Sequence, residues 1–339
     1  MSRSLPLVVV IPGIGGSELA DGAGRAVYGS GVRRLVGSAL EPGALDIDNE
    51  LRPVGLIGPC SVLFKQLVTG YDGLLNGLSK SLGLSREQVV TAGPDLVLPD
   101  AALVAFPYDF RRSVEQVAHD LDREVRRRAQ GRRVVLVAHS MGGLVAAWWW
   151  AFLSEGVEVA DILTLGTPYR GAAKALDVLV NGVRVGGHEL SSLTGVLRKW
   201  DSVFDLLPHY QVVEGSGGGP YPYQLPSTVT EAVPDFSARA LKAYRANRDL
   251  HRALVERAGS GGNPFTSYYS QGHATQGRAI VDAASGQLEV AKGNPQDLPP
   301  SWDGGDGTVP VFSTIPDSLE DDVNRRRRLV GKHQDLVEE

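Results

Sequence analysis

The run Val134-Val135-Leu136-Val137-Ala138-His139-Ser140-Met141-Gly142-Gly143 leaves this chain few ways to fold. Its apolar, mostly β-branched start predicts a buried strand, and a small-x-Ser-x-Gly turn follows at once. Leu144-Val145-Ala146-Ala147-Trp148-Trp149-Trp150 then reads as a buried helix. A strand reversing into a helix through a serine forces that serine into a strained backbone geometry and lifts its hydroxyl clear of the sheet. Small neighbours are required, because a larger side chain would collide with the adjoining strand or helix. A second match at Ala258-Gly259-Ser260-Gly261-Gly262 follows a polar helical stretch; no strand feeds it, and it is set aside.

At 339 residues the chain can bury a large core, and 42% hydrophobic with 22% charged residues is ordinary for a globular protein. A net charge of −5 gives no electrostatic case for nucleic acid. The arginine clusters at Arg126–Arg128 and Arg325–Arg328 lie beside acids and read as solvated faces. Cys60 is the single cysteine, which excludes an internal disulfide and a cysteine metal site. Leu7–Ile11 is too short to span a membrane and has no cleavage region behind it. The expectation is a cytoplasmic protein.

Short apolar runs bounded by turn residues recur at Leu7–Ile11, Leu103–Phe106, Val134–Ala138, Ile162–Gly166, Thr266–Ser270 and Arg328–Val330. Helical patterns at Arg112–Arg128 and Met141–Leu153 separate some of them. This alternation predicts an α/β fold with a doubly wound, mostly parallel sheet. Residues 20–70 and 172–262 break the rhythm, although 172–262 includes a helical pattern at Phe236–Ala258. Such excursions above a sheet are where lids and substrate pockets sit.

A serine hydroxyl needs a base to take its proton and an acid to orient that base. In the α/β-hydrolase fold, where the strand–serine–helix turn belongs, these follow in the order serine, acid, histidine. Of seven histidines, only His333 comes after the last strand-like run. Asp306, in the turn Gly305-Asp306-Gly307-Thr308-Val309, is the expected acid, with Asp303 second. Two backbone N–H groups must hold the oxyanion. Met141, next after the serine, is one donor; Ile14, in the glycine-rich loop Ile11-Pro12-Gly13-Ile14-Gly15-Gly16-Ser17, is the other. That loop matches neither a dinucleotide-binding nor a Walker pattern, so nucleotide binding ranks low. Consecutive tryptophans point around a helix, so Trp148–Trp150 are expected to pack on the sheet and a neighbouring helix.

Several blocks together resemble the lecithin:cholesterol acyltransferase-like branch of the α/β-hydrolases. They are Ile11 to Leu19, Phe106-Pro107-Tyr108-Asp109-Phe110-Arg111, Ala138 to Gly142, Leu165-Gly166-Thr167-Pro168-Tyr169-Arg170-Gly171, Leu206-Leu207-Pro208 and Gly305 to Val309. The resemblance implies Ser140 as nucleophile, Asp306 as acid and His333 as base. It implies a core of residues 1–171 and 263–339, a small interfacial subdomain within 20–70, and a lid or cap over 172–262. Asp109 and Arg111 are read as an ion pair bracing their loop. Six residues follow His333, so its imidazole needs bracing from the lid, a partner or further chain.

The expected function is a serine carboxylic-ester hydrolase acting on acyl lipids, of phospholipase A or lysophospholipase type, through an acyl-enzyme. No cofactor or metal is expected. The partner is an acyl-lipid substrate, with transient membrane-surface contact at most and no nucleic acid; no feature sets an oligomeric state. The alternatives are a lipid acyltransferase using an alcohol acceptor and a catalytically silent lipid- or protein-binding relative.

Overall fold

The computed structural model describes residues 5–30, 41–62, 65–68, 70–93, 101–185, 188–215, 219–282, 285–295, 298 and 302–338. Parts of the 20–70 and 172–262 excursions (31–40, 63–64, 69, 186–187 and 216–218) therefore lie outside the described residues.

Among the described residues, seven strands form one sheet: β1 (Leu7–Ile11), β2 (Val89–Thr91), β3 (Leu103–Ala105), β4 (Val134–His139), β5 (Val159–Leu165), β6 (Phe265–Ser270) and β7 (Arg326–Leu329). Their order is β7-β6-β5-β4-β1-β3-β2, and every pairing is parallel. A parallel sheet must be covered on both faces, which is why its inner strands read as unbroken apolar runs. In β1, Leu7, Val9 and Ile11 face one apolar cluster while Val8 and Val10 face the other.

Among the described residues the longer helices are α1 (Asp72–Ser81), α2 (Val114–Ala129), α3 (Met141–Phe152), α4 (Ala173–Asn181) and α5 (Phe236–Gly261); α3 packs on β4, β1 and β5, and α2 packs on α3. Ser113 caps α2 by accepting from the Gln116 N–H. Val117, Ala118, Leu121 and Val125 then bury a stripe at helical spacing. The tryptophans of α3 pack as expected: Trp149 is fully buried, Trp150 meets Phe265 edge-on at 5.3 Å, and Trp148 lies against Phe152 at 4.7 Å. This is the α/β-hydrolase fold.

The strand boundaries depart from expectation at the sheet margins. β7 begins at Arg326, two residues before the expected Arg328, and ends at Leu329. As an outermost strand it has one unpaired edge, so arginines reach solvent from it. β2 is an unanticipated three-residue edge strand.

The two excursions are woven into the rest. Ser17–Ala20 pairs with Ala26–Tyr28 and Arg52–Leu56 in a small antiparallel sheet, directly after the glycine-rich loop. Within 172–262, α5 packs against α3, which itself lies on the main sheet, and leads into β6. Conversely, Gln276–Val281 and Leu288–Lys292, inside the expected core segment, form a second sheet with Val213–Glu214. Arg111 is buried, chelates Asp109 through Nε and Nη2 at 2.8 Å each, and donates to the carbonyls of Asp46 and Asn49. The ion pair thus clamps residues 46–49 beneath the loop after β3. No helix among the described residues is long and apolar enough to cross a membrane.

Candidate active site

Ser140 sits between β4 and α3 with φ 53° and ψ −125°, a region that costs a non-glycine residue about 1–3 kcal/mol. Its N–H donates to the Leu165 carbonyl at 2.8 Å, which ties the turn to the end of β5. The glycines after it are required by contact. A Cβ at Gly142 would lie 2.4 Å from the Pro12 carbonyl oxygen, and one at Gly143 would lie 1.8 Å from Thr167 Oγ1. α3 can therefore start beside β1 and the loop after β5 only if these positions carry no side chain.

The structure brings Ser140, His333 and Asp306 together from three separate regions. His333 Nε2 is 2.8 Å from Ser140 Oγ, and His333 Nδ1 is 2.7 Å from Asp306 Oδ2. A carboxylate only accepts, so Nδ1 carries the proton and Nε2 is left to accept from the serine hydroxyl. Burial pushes the Asp306 carboxyl upward, but the facing imidazole and the N–H groups of Val309 and Thr308 outweigh it, so the group lies below its ordinary value. Those N–H groups reach Oδ1 at 2.8 and 2.9 Å. Asp303, the second candidate acid, is exposed and its carboxylate accepts the Gly304 N–H.

His333 is braced by Asp306 and by the residues after it. Its N–H donates to the Asp306 carbonyl at 2.9 Å. After it, Asp335–Val337 forms a turn of 3-10 helix that buries Leu336 and Val337 beside Val137 and Leu165.

The glycine-rich loop comes within van der Waals reach of the serine: a Cβ at Gly13 would lie 2.9 Å from Ser140 Cβ. Three tyrosines fix the loop. Tyr108 Oη donates to the Pro12 carbonyl at 2.8 Å, Tyr71 Oη accepts the Gly13 N–H at 2.7 Å, and Tyr28 Oη donates to the Gly15 carbonyl at 3.0 Å. Burial raises all three phenols, Tyr28 to about 12, so they remain protonated at neutral pH. Among the described residues, neither the Ile14 nor the Met141 N–H meets a hydrogen-bond acceptor.

His139 lies against the cluster, its ring centroid 4.9 Å from that of His333. Burial first, and the neighbouring His333 second, lower its pKa to about 3, so the ring is neutral. The sequence singles out none of Tyr28, Tyr71, Tyr108 and His139 as functional. The weak signals are that Tyr108 and His139 lie inside quoted blocks, Pro107-Tyr108-Asp109 and Ala138-His139-Ser140, whereas Tyr71 has no motif around it. Elsewhere, His119 tilts against Trp148, His251 pairs with Asp317 at 2.9 Å, and His273 pins the acid's loop through backbone bonds to Gly305. Among the described residues, no His, Cys, Asp and Glu side chains gather into a group able to hold a metal ion.

The lecithin:cholesterol acyltransferase family model matches residues 93–225, so the likeness drawn from the motifs holds over that segment. A search of curated protein sequences found no match. Among solved structures, the crystal structure of the Tle4–Tli4 complex superposes with a TM-score of 0.69 at 15% identity, covering 98% of this chain and 96% of that one. It shares the fold. Mature lipase BlEst2 of Bacillus licheniformis gives a TM-score of 0.37 at 13% identity over 99% of this chain and 88% of that one. Phospholipase PlaB of Legionella pneumophila, in complex with thio-NAD, gives 0.36 at 14% identity over 72% of this chain and 40% of that one.

Proposed function

We propose that this α/β-hydrolase is a serine ester hydrolase that cleaves acyl lipids through an acyl-enzyme. One observation carries the reading: the unbroken run Ser140 Oγ, His333 Nε2, His333 Nδ1, Asp306 Oδ2, with contacts of 2.8 and 2.7 Å. Ser140 Oγ attacks the ester carbonyl carbon while His333 Nε2 takes its proton. Asp306 holds the tautomer and steadies the imidazolium. The carbonyl oxygen gains the charge and is held by the N–H groups of Ile14 and Met141. As the tetrahedral adduct collapses, the leaving alcohol takes the proton from Nε2 and Ser140 keeps the acyl group. Water then repeats the sequence in the second half-reaction.

The acyl-lipid assignment is supported by the family match, as is a second reading, transfer of the acyl group to an alcohol acceptor. Both use the same side chains. A fluorophosphonate probe tests the chemistry: wild type is labelled and Ser140→Ala is not. Absence of labelling in wild type would favour a silent lipid- or protein-binding relative. Labelled phospholipid, incubated with and without an added alcohol, then separates free fatty acid from a new ester.

A further inference from the structure

The proposed reaction needs two loops in register, one carrying the Ile14 oxyanion donor and one carrying the base. They leave different strands, β1 and β7, at different places in the sheet. A run of hydrogen bonds joins them. Gly13 N–H donates to Tyr71 Oη at 2.7 Å, Tyr71 Oη lies 2.8 Å from His139 Nδ1, and His139 Nε2 lies 3.0 Å from the carbonyl oxygen of His333. A carbonyl only accepts, so Nε2 carries the proton of His139 and Nδ1 is the bare acceptor. The Tyr71 hydroxyl therefore donates to Nδ1 while accepting from Gly13. Every group in the run is used once, in one direction.

We propose that Tyr71 and His139 are positioning residues that fix the oxyanion loop against the base loop. Tyr71 occupies the Gly13 N–H, so the loop offers its next donor, that of Ile14, to the substrate. His139 holds the His333 carbonyl while Asp306 holds the His333 N–H and Nδ1, which leaves the imidazole little freedom to rotate. Neutrality matters here, because a charged ring 4.9 Å away would oppose the imidazolium that forms on His333. Burial supplies that neutrality, holding His139 near 3. The inference rests on the ester-hydrolase reading for its consequence, but its geometry can be tested separately.

Tyr71→Phe removes the link, His139→Leu removes both bonds of the ring, and His139→Gln keeps one donor and one acceptor at similar positions. Turnover is measured per active site, titrated with the fluorophosphonate. For Tyr71→Phe and His139→Leu, kcat per titrated site is expected to fall about 10- to 100-fold with KM changed less than about threefold, as for groups that act in the transition state. His139→Gln is expected to recover most of the loss. A kcat for Tyr71→Phe within about twofold of wild type overturns the proposal, as does a lower titre with unchanged turnover per site, which marks a folding defect. Should His139→Leu not fold, Tyr71→Phe and His139→Gln decide the matter. In 15N-histidine spectra at pH 7, His139 is expected to show a protonated Nε2 and a bare Nδ1; the opposite tautomer overturns the proposal whatever the activity. A wild type silent to probe and ester overturns the parent reading instead, and the catalytic role of the pair with it.

Discussion

Asp306 meets His333 through one carboxylate oxygen, Oδ2, while its other oxygen is taken by the N–H groups of Thr308 and Val309. This division fixes what an amide would do there. In Asp306→Asn the carbonyl oxygen must stay on the two backbone donors, so the NH2 group turns towards His333 Nδ1. The imidazole then protonates Nε2 and cannot accept the serine proton. Turnover is expected to fall about a thousand- to ten-thousand-fold with KM little changed, measured on a soluble chromogenic ester. A loss under about tenfold would show that the carboxylate is not orienting the base.

The buried His139 makes stability depend on pH in a defined window. A free histidine titrates near 6.5, whereas burial lowers this one to about 3. Between those values the unfolded chain binds a proton that the folded chain excludes. Its contribution is complete above about pH 6.5 and is lost as pH falls towards 3. At about 1.4 kcal/mol per pH unit, moving from pH 6.5 to 4.5 is expected to cost about 2–3 kcal/mol through this residue. Urea unfolding of wild type and His139→Gln at both pH values checks it, the variant showing the shallower loss. His209, lowered by burial in the same direction, stays in both proteins and cancels in the comparison.

Gly142→Ala tests how tightly the turn is packed. The new methyl would meet the carbonyl oxygens of Pro12 at 2.4 Å and Ile11 at 2.6 Å, and main-chain atoms of a central strand cannot step aside. A destabilisation of about 2–4 kcal/mol is expected by chemical denaturation. A cost below about 0.5 kcal/mol would mean that α3 can shift away from β1.

Arg111→Lys keeps the charge and discards the fork. A lysine cannot chelate Asp109 and also reach the carbonyls of Asp46 and Asn49. With the carboxylate buried and under-bonded, about 2–4 kcal/mol is expected to be lost. Hydrogen exchange across residues 42–49 should quicken more than in α2, because the clamp on that segment is gone.

The inner strands and the serine turn were legible because burial on both faces writes itself as continuous apolar runs and because the turn tolerates few residue types. His333 and Asp306 followed from chain order, a constraint of topology more than of local sequence. The margins were not legible: β2 is three residues of Val89-Val90-Thr91, and β7 opens with arginines that an outermost strand can afford. Nor was the cap. Gln276–Val281 is not among the runs read as strands, and it pairs with Val213–Glu214 and Leu288–Lys292 outside the main sheet. Tyr71 was invisible for a related reason: its partners, Gly13 and His139, are 58 and 68 residues away, and no periodicity encodes such a meeting.

That β7 is the outermost strand has an operational meaning. The proposed base hangs from a strand that, among the described residues, pairs on one side only, and such margins open at lower free energy than a sheet's interior. Dilute denaturant is then expected to stop the proposed ester cleavage while the interior stays shut to solvent. Recovery on dilution will then be quick, limited by re-docking one hem of the protein and not by refolding the whole.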